Sequence, residues 1–166
     1  MVFFRNRKKQ SWQAGFTLLE VLLVVAIIAI LAGIVIIAIN PGKNLGDARN
    51  ANRSADVNTI LNAVYQYELD NNGSIPAVGS RTGAVAISAT ATEVCSATAS
   101  TCTGLVDLNT LSTNGKYLVS LPTDPSCPTG CNANGNGYKI ALTSNNRLQV
   151  TAPNTENGKA IITVTK

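Results

Sequence analysis

The longest apolar run in the chain lies near its N-terminus. Residues 21–39 are apolar without interruption except for Gly33. A helix over this run would be roughly 28 Å long at about 1.5 Å per residue, which is close to the ~30 Å hydrocarbon thickness of a bilayer. The run therefore predicts a helix long enough to span a membrane, within a segment that we bound at residues 16–40.

A second helix is predicted from spacing. Between residues 45 and 69, apolar side chains recur at steps of three and four, which is typical of an amphipathic helix. The predicted buried face contains Ala48, Ala51, Ala55, Val57, Ile60, Leu61 and Val64, and the predicted exposed face contains Asp47, Arg49, Arg53, Asp56 and Glu68. Because proline disfavours helix in the residue before it, Asn40-Pro41-Gly42 predicts a break near 40–43. Asn71-Asn72-Gly73 predicts the end of a stalk helix that occupies residues 41–73.

Residues 74–166 are predicted to form a globular head. Segments 138–142, 148–152 and 160–164 alternate in polarity and are separated by short turns, so they predict an antiparallel meander. Residues 77–104 are rich in Ala, Ser, Thr and Gly and predict surface loop, with at most a weak strand at 84–88. The predicted fold class is α+β, with a long N-terminal helix packed on an antiparallel sheet of about three to four strands.

The excess positive charge of the chain is concentrated at its start. The full sequence has 13 basic and 9 acidic side chains. Four of the basic ones precede Gly15, in a segment without any acid: Arg5, Arg7, Lys8 and Lys9. Lys and Arg beside an apolar segment hold that side in the cytoplasm, so this charge indicates a topology signal rather than a nucleic-acid-binding face.

Four cysteines follow the apolar run: Cys95, Cys102, Cys127 and Cys131. An even number of cysteines outside the cytoplasm indicates disulfides, and four cysteines allow three pairings. The local pairing Cys95–Cys102 and Cys127–Cys131 is favoured because short loops close at the lowest entropic cost. A four-cysteine zinc site is the alternative, although these spacings differ from the tight knuckles of zinc ribbons.

The composition does not favour an enzyme. Histidine is absent, which removes His-based triads, His general bases and His metal ligands. The sequence also has no clustered carboxylates and no glycine-rich phosphate loop, so no cofactor is expected. Calcium prefers about six to eight oxygen ligands. Asp124 has only neutral asparagines nearby, at 132, 134 and 136, so no metal site is predicted.

The junction between the basic leader and the apolar run contains a carboxylate, Glu20. A charged side chain is costly in hydrocarbon, roughly 2.5–3.5 kcal/mol at the bilayer centre, and usually marks function. A secretory signal peptide would have a shorter apolar core, about 7–15 residues, with cleavage after it. A plain single-span anchor explains the apolar length and the positive flank, but it explains neither Gly15-Phe16 nor Glu20.

The arrangement resembles the type IV prepilin signature: a basic leader that ends in Gly15, then Phe16, then Glu20 at the fifth position, then an apolar run. The resemblance implies that a prepilin peptidase removes residues 1–15 by cleavage between Gly15 and Phe16. It also implies that Phe16 is N-methylated. Glu20 would then pair with the N-terminal amine of a neighbouring subunit, since a buried carboxylate needs a cationic partner.

A second resemblance lies in the head. Leu121-Pro122-Thr123-Asp124-Pro125, followed by the segment 137–140, is similar to the loop-then-strand pattern of pilins and pseudopilins. The aromatic-glycine continuation of that pattern is replaced here by Ser126-Cys127-Pro128. This departure weighs against the pseudopilins of secretion systems and against a calcium site of the kind that such proteins carry.

The sequence therefore predicts a structural subunit of a type IV pilus-like filament. The implied partners are identical or homologous pilin subunits, prepilin peptidase, a membrane assembly platform with its ATPase, and inner-membrane lipid before assembly. The implied location is the inner membrane, with the head outside, and then an extracellular filament. The alternatives are a pseudopilin of a type II secretion or DNA-uptake machine and an anchored surface domain without a filament. The head lacks a basic patch with aromatic residues, and nucleic-acid binding stays open.

Overall fold

The computed structural model describes residues 15–166 and divides after Pro41 into two compact units. The described elements are helices α1 (Leu18–Ile39) and α2 (Pro41–Asp70), strands β1 (Thr92–Cys95), β2 (Gly135–Leu142), β3 (Leu148–Ala152) and β4 (Ile162–Thr165), and two short 3-10 turns at Asn109–Leu111 and Thr113–Gly115. The predicted α+β class is confirmed. The first unit contains α1, and the second contains α2 and the sheet.

The helical backbone is interrupted at Asn40, which has the left-handed conformation (φ 44°, ψ 75°). The second helix starts at once with Pro41, four residues earlier than its apolar spacing indicates. Proline is tolerated in the first turn of a helix because the backbone N–H that it lacks would have no intrahelical partner there. At the other end, the Gly73 backbone N donates to the Glu68 carbonyl at 2.8 Å, with Asn72 and Gly73 both at positive φ. The Asn-Asn-Gly sequence thus ends α2 in a left-handed cap.

The sheet is antiparallel throughout, in the order β1-β2-β3-β4. Cross-strand pairing places Ile140 beside Val150, and Val150 beside Val164. The apolar face of these strands packs in one cluster with Val57, Ile60 and Val64 of α2. The core of the second unit therefore lies between the C-terminal half of α2 and the sheet.

The first strand was not predicted where it occurs. A weak strand was expected at 84–88, but Val85 makes only an isolated bridge to Val106, and β1 lies at Thr92–Cys95. Val94 and Cys95 are fully buried, and β1 pairs along the edge of β2. The expectation was wrong because the surrounding Ser and Thr hide the short apolar pair, and the segment becomes a strand through partners distant in sequence, β2 and Val106.

The predicted buried face of α2 is wrong in its N-terminal half. Ala48, Ala51 and Ala55 are exposed, whereas three polar or small residues on a different side of the helix from these alanines are buried: Gly46, Asn50 and Arg53. Arg53 was assigned to the solvent and has no exposed side-chain surface. The reason is that this half of the helix contacts polar loops of the head instead of the apolar face of the sheet.

Candidate functional site

The start of α1 carries the residues that the sequence identifies as an assembly site. Thr17 is the N-cap of α1, and its Oγ1 accepts a hydrogen bond from the Glu20 backbone N at 3.2 Å. The spacing of these two residues is that of a capping box. Glu20 therefore lies in the first turn of the helix, where the macrodipole favours a negative charge.

Gly15 and Phe16 precede the helix in non-helical backbone, and both are exposed. Among the described residues, apart from its chain neighbours, no atom comes within 4 Å of the position that a Cβ on Gly15 would occupy, and Phe16 is 83% exposed. The described residues therefore leave the peptide bond between them sterically accessible. The remainder of the predicted leader, residues 1–14, lies outside the described residues. Cleavage, methylation and the pairing of Glu20 stay predictions.

No residue of α1 is buried within the subunit, although the helix is apolar on all sides. In the part of the chain that the structure describes, α1 is the helix long and apolar enough to cross a membrane. Near its start, a groove of about 300 Å³ is bordered by Phe16, Glu20, Val21, Val24 and Val25. Such a surface needs lipid or other apolar helices around it.

Two disulfides constrain the loops of the head, one between Cys95 and Cys102 and one between Cys127 and Cys131. Their Cα–Cα distances are 5.6 and 5.3 Å. Cys95 and Cys102 are fully buried and pack with Leu105 in a small second apolar cluster. The first disulfide therefore closes the loop that follows β1, and the second closes the loop that precedes β2.

A buried ion pair connects α2 to the second of these loops. The Arg53 guanidinium donates to both carboxylate oxygens of Asp124, at 2.8 and 3.1 Å, and both side chains have no exposed surface. Arg53 also donates to the Ser126 Oγ at 2.6 Å, and the Ser126 backbone N donates to Asp124 at 2.7 Å. Asp124, which was considered as a weak calcium ligand, is thus engaged by a guanidinium and a backbone amide.

The β3–β4 loop holds the same face of α2 through Glu156. Arg49 donates to both carboxylate oxygens of Glu156, one of them at 2.7 Å, and Arg53 donates to it at 3.0 Å. Asn50 exchanges two hydrogen bonds with the Glu156 backbone, its Nδ2 donating at 2.9 Å and its Oδ1 accepting at 3.0 Å. The side chain and backbone of one loop residue therefore bind three residues of α2.

Asn157 continues the contact toward the start of α2. Its Nδ2 donates to the Lys43 carbonyl at 2.7 Å and to the Asp47 carboxylate at 3.0 Å. Its amide lies against Gly46, where an added Cβ would come within 2.6 Å of the Asn157 Nδ2. A side chain at position 46 would displace the Asn157 amide, which lies this close to the helix backbone. We call the whole set the polar clamp: Gly46, Arg49, Asn50 and Arg53 on α2, and Asp124, Glu156 and Asn157 opposite them.

The charges of the polar clamp shift the pKa values of its members in opposite directions. The hydrogen bond from Arg49, assisted by Arg53, lowers the pKa of Glu156 to about 2. The hydrogen bond to Asp124 raises the pKa of Arg53 against the opposing effect of its burial. Next to the clamp on α2, Asp56 accepts a hydrogen bond from the Tyr138 hydroxyl at 2.6 Å. Burial, and to a smaller extent this hydrogen bond, raises the pKa of Tyr138. Glu156 and Arg53 are therefore both charged at neutral pH.

Sequence reasoning missed the polar clamp, although its spacing was present. Gly46, Asn50 and Arg53 continue the helical period of the apolar face, so these positions lie on the same side of α2 as Val57 and Ile60. The side-chain amides of the asparagines considered beside Asp124 donate elsewhere: Asn132 Nδ2 to Glu93, Asn134 Nδ2 to the Thr101 Oγ1, and Asn136 Nδ2 to the Pro122 carbonyl. Following the period rather than the polarity would have placed Arg53 inside and indicated a carboxylate partner.

Comparison with known proteins identifies the N-terminal region. Residues 13–36 match the family model of the prokaryotic N-terminal methylation motif. The chain has a prepilin-type N-terminus. The match covers the open Gly15–Phe16 bond, the Thr17 cap, Glu20 and most of α1.

Curated relatives of the chain are proteins of one secretion system. The chain is 42% identical over 60 residues to the type II secretion system core protein G of Aeromonas hydrophila, a stretch that covers 36% of this chain and 41% of the relative. It is 42% identical over 65 residues to the protein of the same name from Vibrio cholerae serotype O1, covering 39% and 43%. For the Escherichia coli K12 protein the identity is 38% over 60 residues, covering 36% and 40%.

The chain spans about two fifths of the length of these curated relatives. No solved structure matches the chain. The likeness therefore applies to part of each chain and leaves the function of the head to be argued from its own residues.

Proposed function

We propose that this protein is a structural subunit of a type IV pilus-like filament, polymerised through α1. The observation that carries the proposal is that a wholly exposed apolar helix lies largely within the match to the prokaryotic N-terminal methylation motif. A helix with no buried residue in its own subunit must be covered by lipid before assembly and by other subunits after it. The role is structural rather than catalytic.

Processing is proposed to create the groups that assembly needs. The basic residues of the leader hold that end in the cytoplasm while α1 spans the inner membrane. Prepilin peptidase then cleaves between Gly15 and Phe16, which removes the leader and leaves a new, methylated amine on Phe16. That amine provides the cation for Glu20 of a neighbouring subunit, because a carboxylate transferred into an apolar bundle without a partner costs several kcal/mol, roughly 3–5.

The partners of the mature subunit follow from this route. A membrane platform and its ATPase extract the subunit, and identical or homologous subunits receive α1 in a central bundle. The driving force between apolar helices is packing rather than the hydrophobic effect, so the Glu20–amine pair supplies register. The head, closed by two disulfides, then lies on the outside of the filament beyond the inner membrane.

Similarity to type II secretion system core protein G supports a second candidate, a pseudopilin of a secretion machine. Deleting the gene separates the two. Loss of surface filaments in electron micrographs, with normal protein secretion, supports the pilus. Loss of secreted proteins from the medium, with surface filaments intact, supports the secretion machine and contradicts the pilus.

Glu20→Ala tests the assembly role. The variant is expected to insert into the membrane and to be cleaved at Phe16 as in the wild type, but to form no filaments, because the neighbouring amine has no partner. Glu68→Ala, which removes an acid from α2, is the matched control and leaves filaments intact. Membrane fractionation, N-terminal sequencing and electron microscopy give the three readouts. Normal filaments from Glu20→Ala, or a mature protein that starts at Met1, would contradict the proposal.

A further inference from the structure

The two halves of α2 are attached to the head by different chemistry. The C-terminal half packs Val57, Ile60 and Val64 into the apolar core. The N-terminal half, residues 43–53, contributes no residue to that core. Its buried positions are Gly46, Asn50 and Arg53, and the contacts that hold them are those of the polar clamp.

Residues 43–53 have little helical stability of their own. The segment contains a glycine, an aspartate and three asparagines, all of them poor helix formers: Asn44, Gly46, Asp47, Asn50 and Asn52. Helices shorter than about 12–15 residues are marginal in water even when their sequence is favourable. The helical state of this segment therefore depends on what it contacts.

Its contacts come mainly from one short loop. Glu156 and Asn157 between them bind Lys43, Asp47, Arg49, Asn50 and Arg53, and Asp124 adds the buried partner of Arg53. The loop itself is tied to the sheet by β3 and β4, which end at Ala152 and begin at Ile162. The two strands can thus hold the loop in place whether or not the helix is bound to it.

We propose that residues 43–53 of α2 are a separate folding unit, attached to the head by the polar clamp. When the clamp is broken, this segment detaches as one unit while the remainder of the head stays folded. Local units of this kind open below the free energy of global unfolding when few apolar contacts hold them. The role of the segment rests on the proposed function: in a filament subunit, it would be an adjustable connector between the assembly helix and the head. The release itself does not depend on that function.

Hydrogen exchange on the full chain in detergent micelles tests the proposal. Asn157→Gly removes the side chain that binds Lys43 and Asp47 and keeps the backbone, because Asn157 already has positive φ (59°). We expect amides 46–53 to exchange about tenfold faster or more, and amides 57–64 and strands β2 and β3 to change by less than about twofold.

Asn146→Gly is the matched control. Asn146 has almost the same φ (57°) and lies in the exposed β2–β3 turn, so it receives the same substitution away from the clamp. It is expected to leave exchange in α2 unchanged.

Asn50→Ala is the second variant, and it removes the reciprocal pair with Glu156. It should likewise accelerate amide exchange over residues 46–53. Asn58→Ala, on the exposed side of α2, is its control. Three outcomes overturn the proposal. The first two are equal acceleration of amides 46–53 and 57–64, or global unfolding, in either clamp variant. The third is unchanged exchange at 46–53 in both variants. Because the measurement uses single subunits in detergent, it stands apart from whether filaments form.

Discussion

The N-terminal and C-terminal halves of α2 bury the same face of one helix in two different ways. From Gly46 to Val64, buried positions recur at steps of three and four without a break. Up to Arg53 they are glycine, amide and guanidinium groups that meet loops, and from Val57 onward they are aliphatic groups that meet a sheet.

The difference shows that helical period and hydrophobicity are separable signals. Period reports which side of a helix faces the protein, whatever the partner is made of. Hydrophobicity reports the partner, because burying an apolar group against apolar groups is favourable, whereas burying a charge without a paired group is costly. In the first half of α2 the two signals disagree, since the alanines lie in solvent and the arginine lies inside.

The largest effect is expected from a substitution that disrupts the polar half of α2. Arg53→Met leaves the Asp124 carboxylate buried without its cation, which is expected to lower the free energy of unfolding by about 3–5 kcal/mol. Urea unfolding of the full chain in detergent, followed by the near-ultraviolet circular dichroism of its tyrosines, measures it. The Arg53→Met/Asp124→Leu double variant should recover much of the loss, since no unpaired charge is left. A loss below about 1 kcal/mol in the single variant would contradict a buried pair.

A slightly smaller effect is expected in the apolar half. Ile60→Ala removes a fully buried side chain from the core and is expected to cost about 3 kcal/mol, as transfer and cavity terms together. Ile60→Val, which removes one methylene, should cost about 0.5–1.5 kcal/mol in the same urea experiment. Both losses should be the same at pH 7 and pH 4, because no charge is involved; a strong pH dependence would argue against a purely apolar contact.

A pH titration of stability separates the two halves of α2, because it changes the charges that hold the N-terminal half and leaves the apolar contacts of the C-terminal half unchanged. The pKa of Glu156 is about 2 in the folded protein against an ordinary 4.5. The stabilisation from its pairs with Arg49 and Arg53 is therefore complete above pH 4.5 and is lost as the pH falls toward 2. The hydrogen bonds from Lys116 and Tyr117 lower the pKa of Asp70, and Arg81 and backbone amides lower that of Asp107 despite its burial, so both titrate in acid as well.

Glu156→Gln isolates the contribution of the clamp. Between pH 4.5 and 2, the wild type should lose stability more steeply than this variant, and the excess loss should lie in residues 43–53. Circular dichroism of urea unfolding at several pH values and hydrogen exchange measure the two parts. Equal pH slopes for the two proteins would show that the Glu156 pairs do not stabilise the fold.

The smallest effect is expected on the exposed alanine face. Ala51→Ser should change the free energy of unfolding by no more than about 0.5 kcal/mol, because Ala51 is exposed and only the helix propensity changes. The same urea measurement applies. A loss above about 1.5 kcal/mol would place Ala51 in a buried contact and restore the apolar face that the sequence predicted.

The predictable parts of this protein are those in which local chemistry acts alone. The apolar run specifies α1, Asn-Asn-Gly ends α2, and alternation marks β2 and β3 to within a few residues. Strand β1 and the partners of Arg53 could not be read in the same way. Each depends on a partner distant in sequence: β2 for Thr92–Cys95, and Asp124 and Glu156 for Arg53.

The same distinction separates the N-terminal site from the first half of α2. The sequence alone determined the order Gly15, Phe16, Thr17 and Glu20 and the apolar helix behind it, because cleavage motifs, helix caps and membrane length are encoded in consecutive residues. Only the tertiary structure decided that a polar loop, rather than the sheet, covers the first half of α2. A buried ion pair requires two charges from distant segments to meet in one geometry, and no local pattern carries that information.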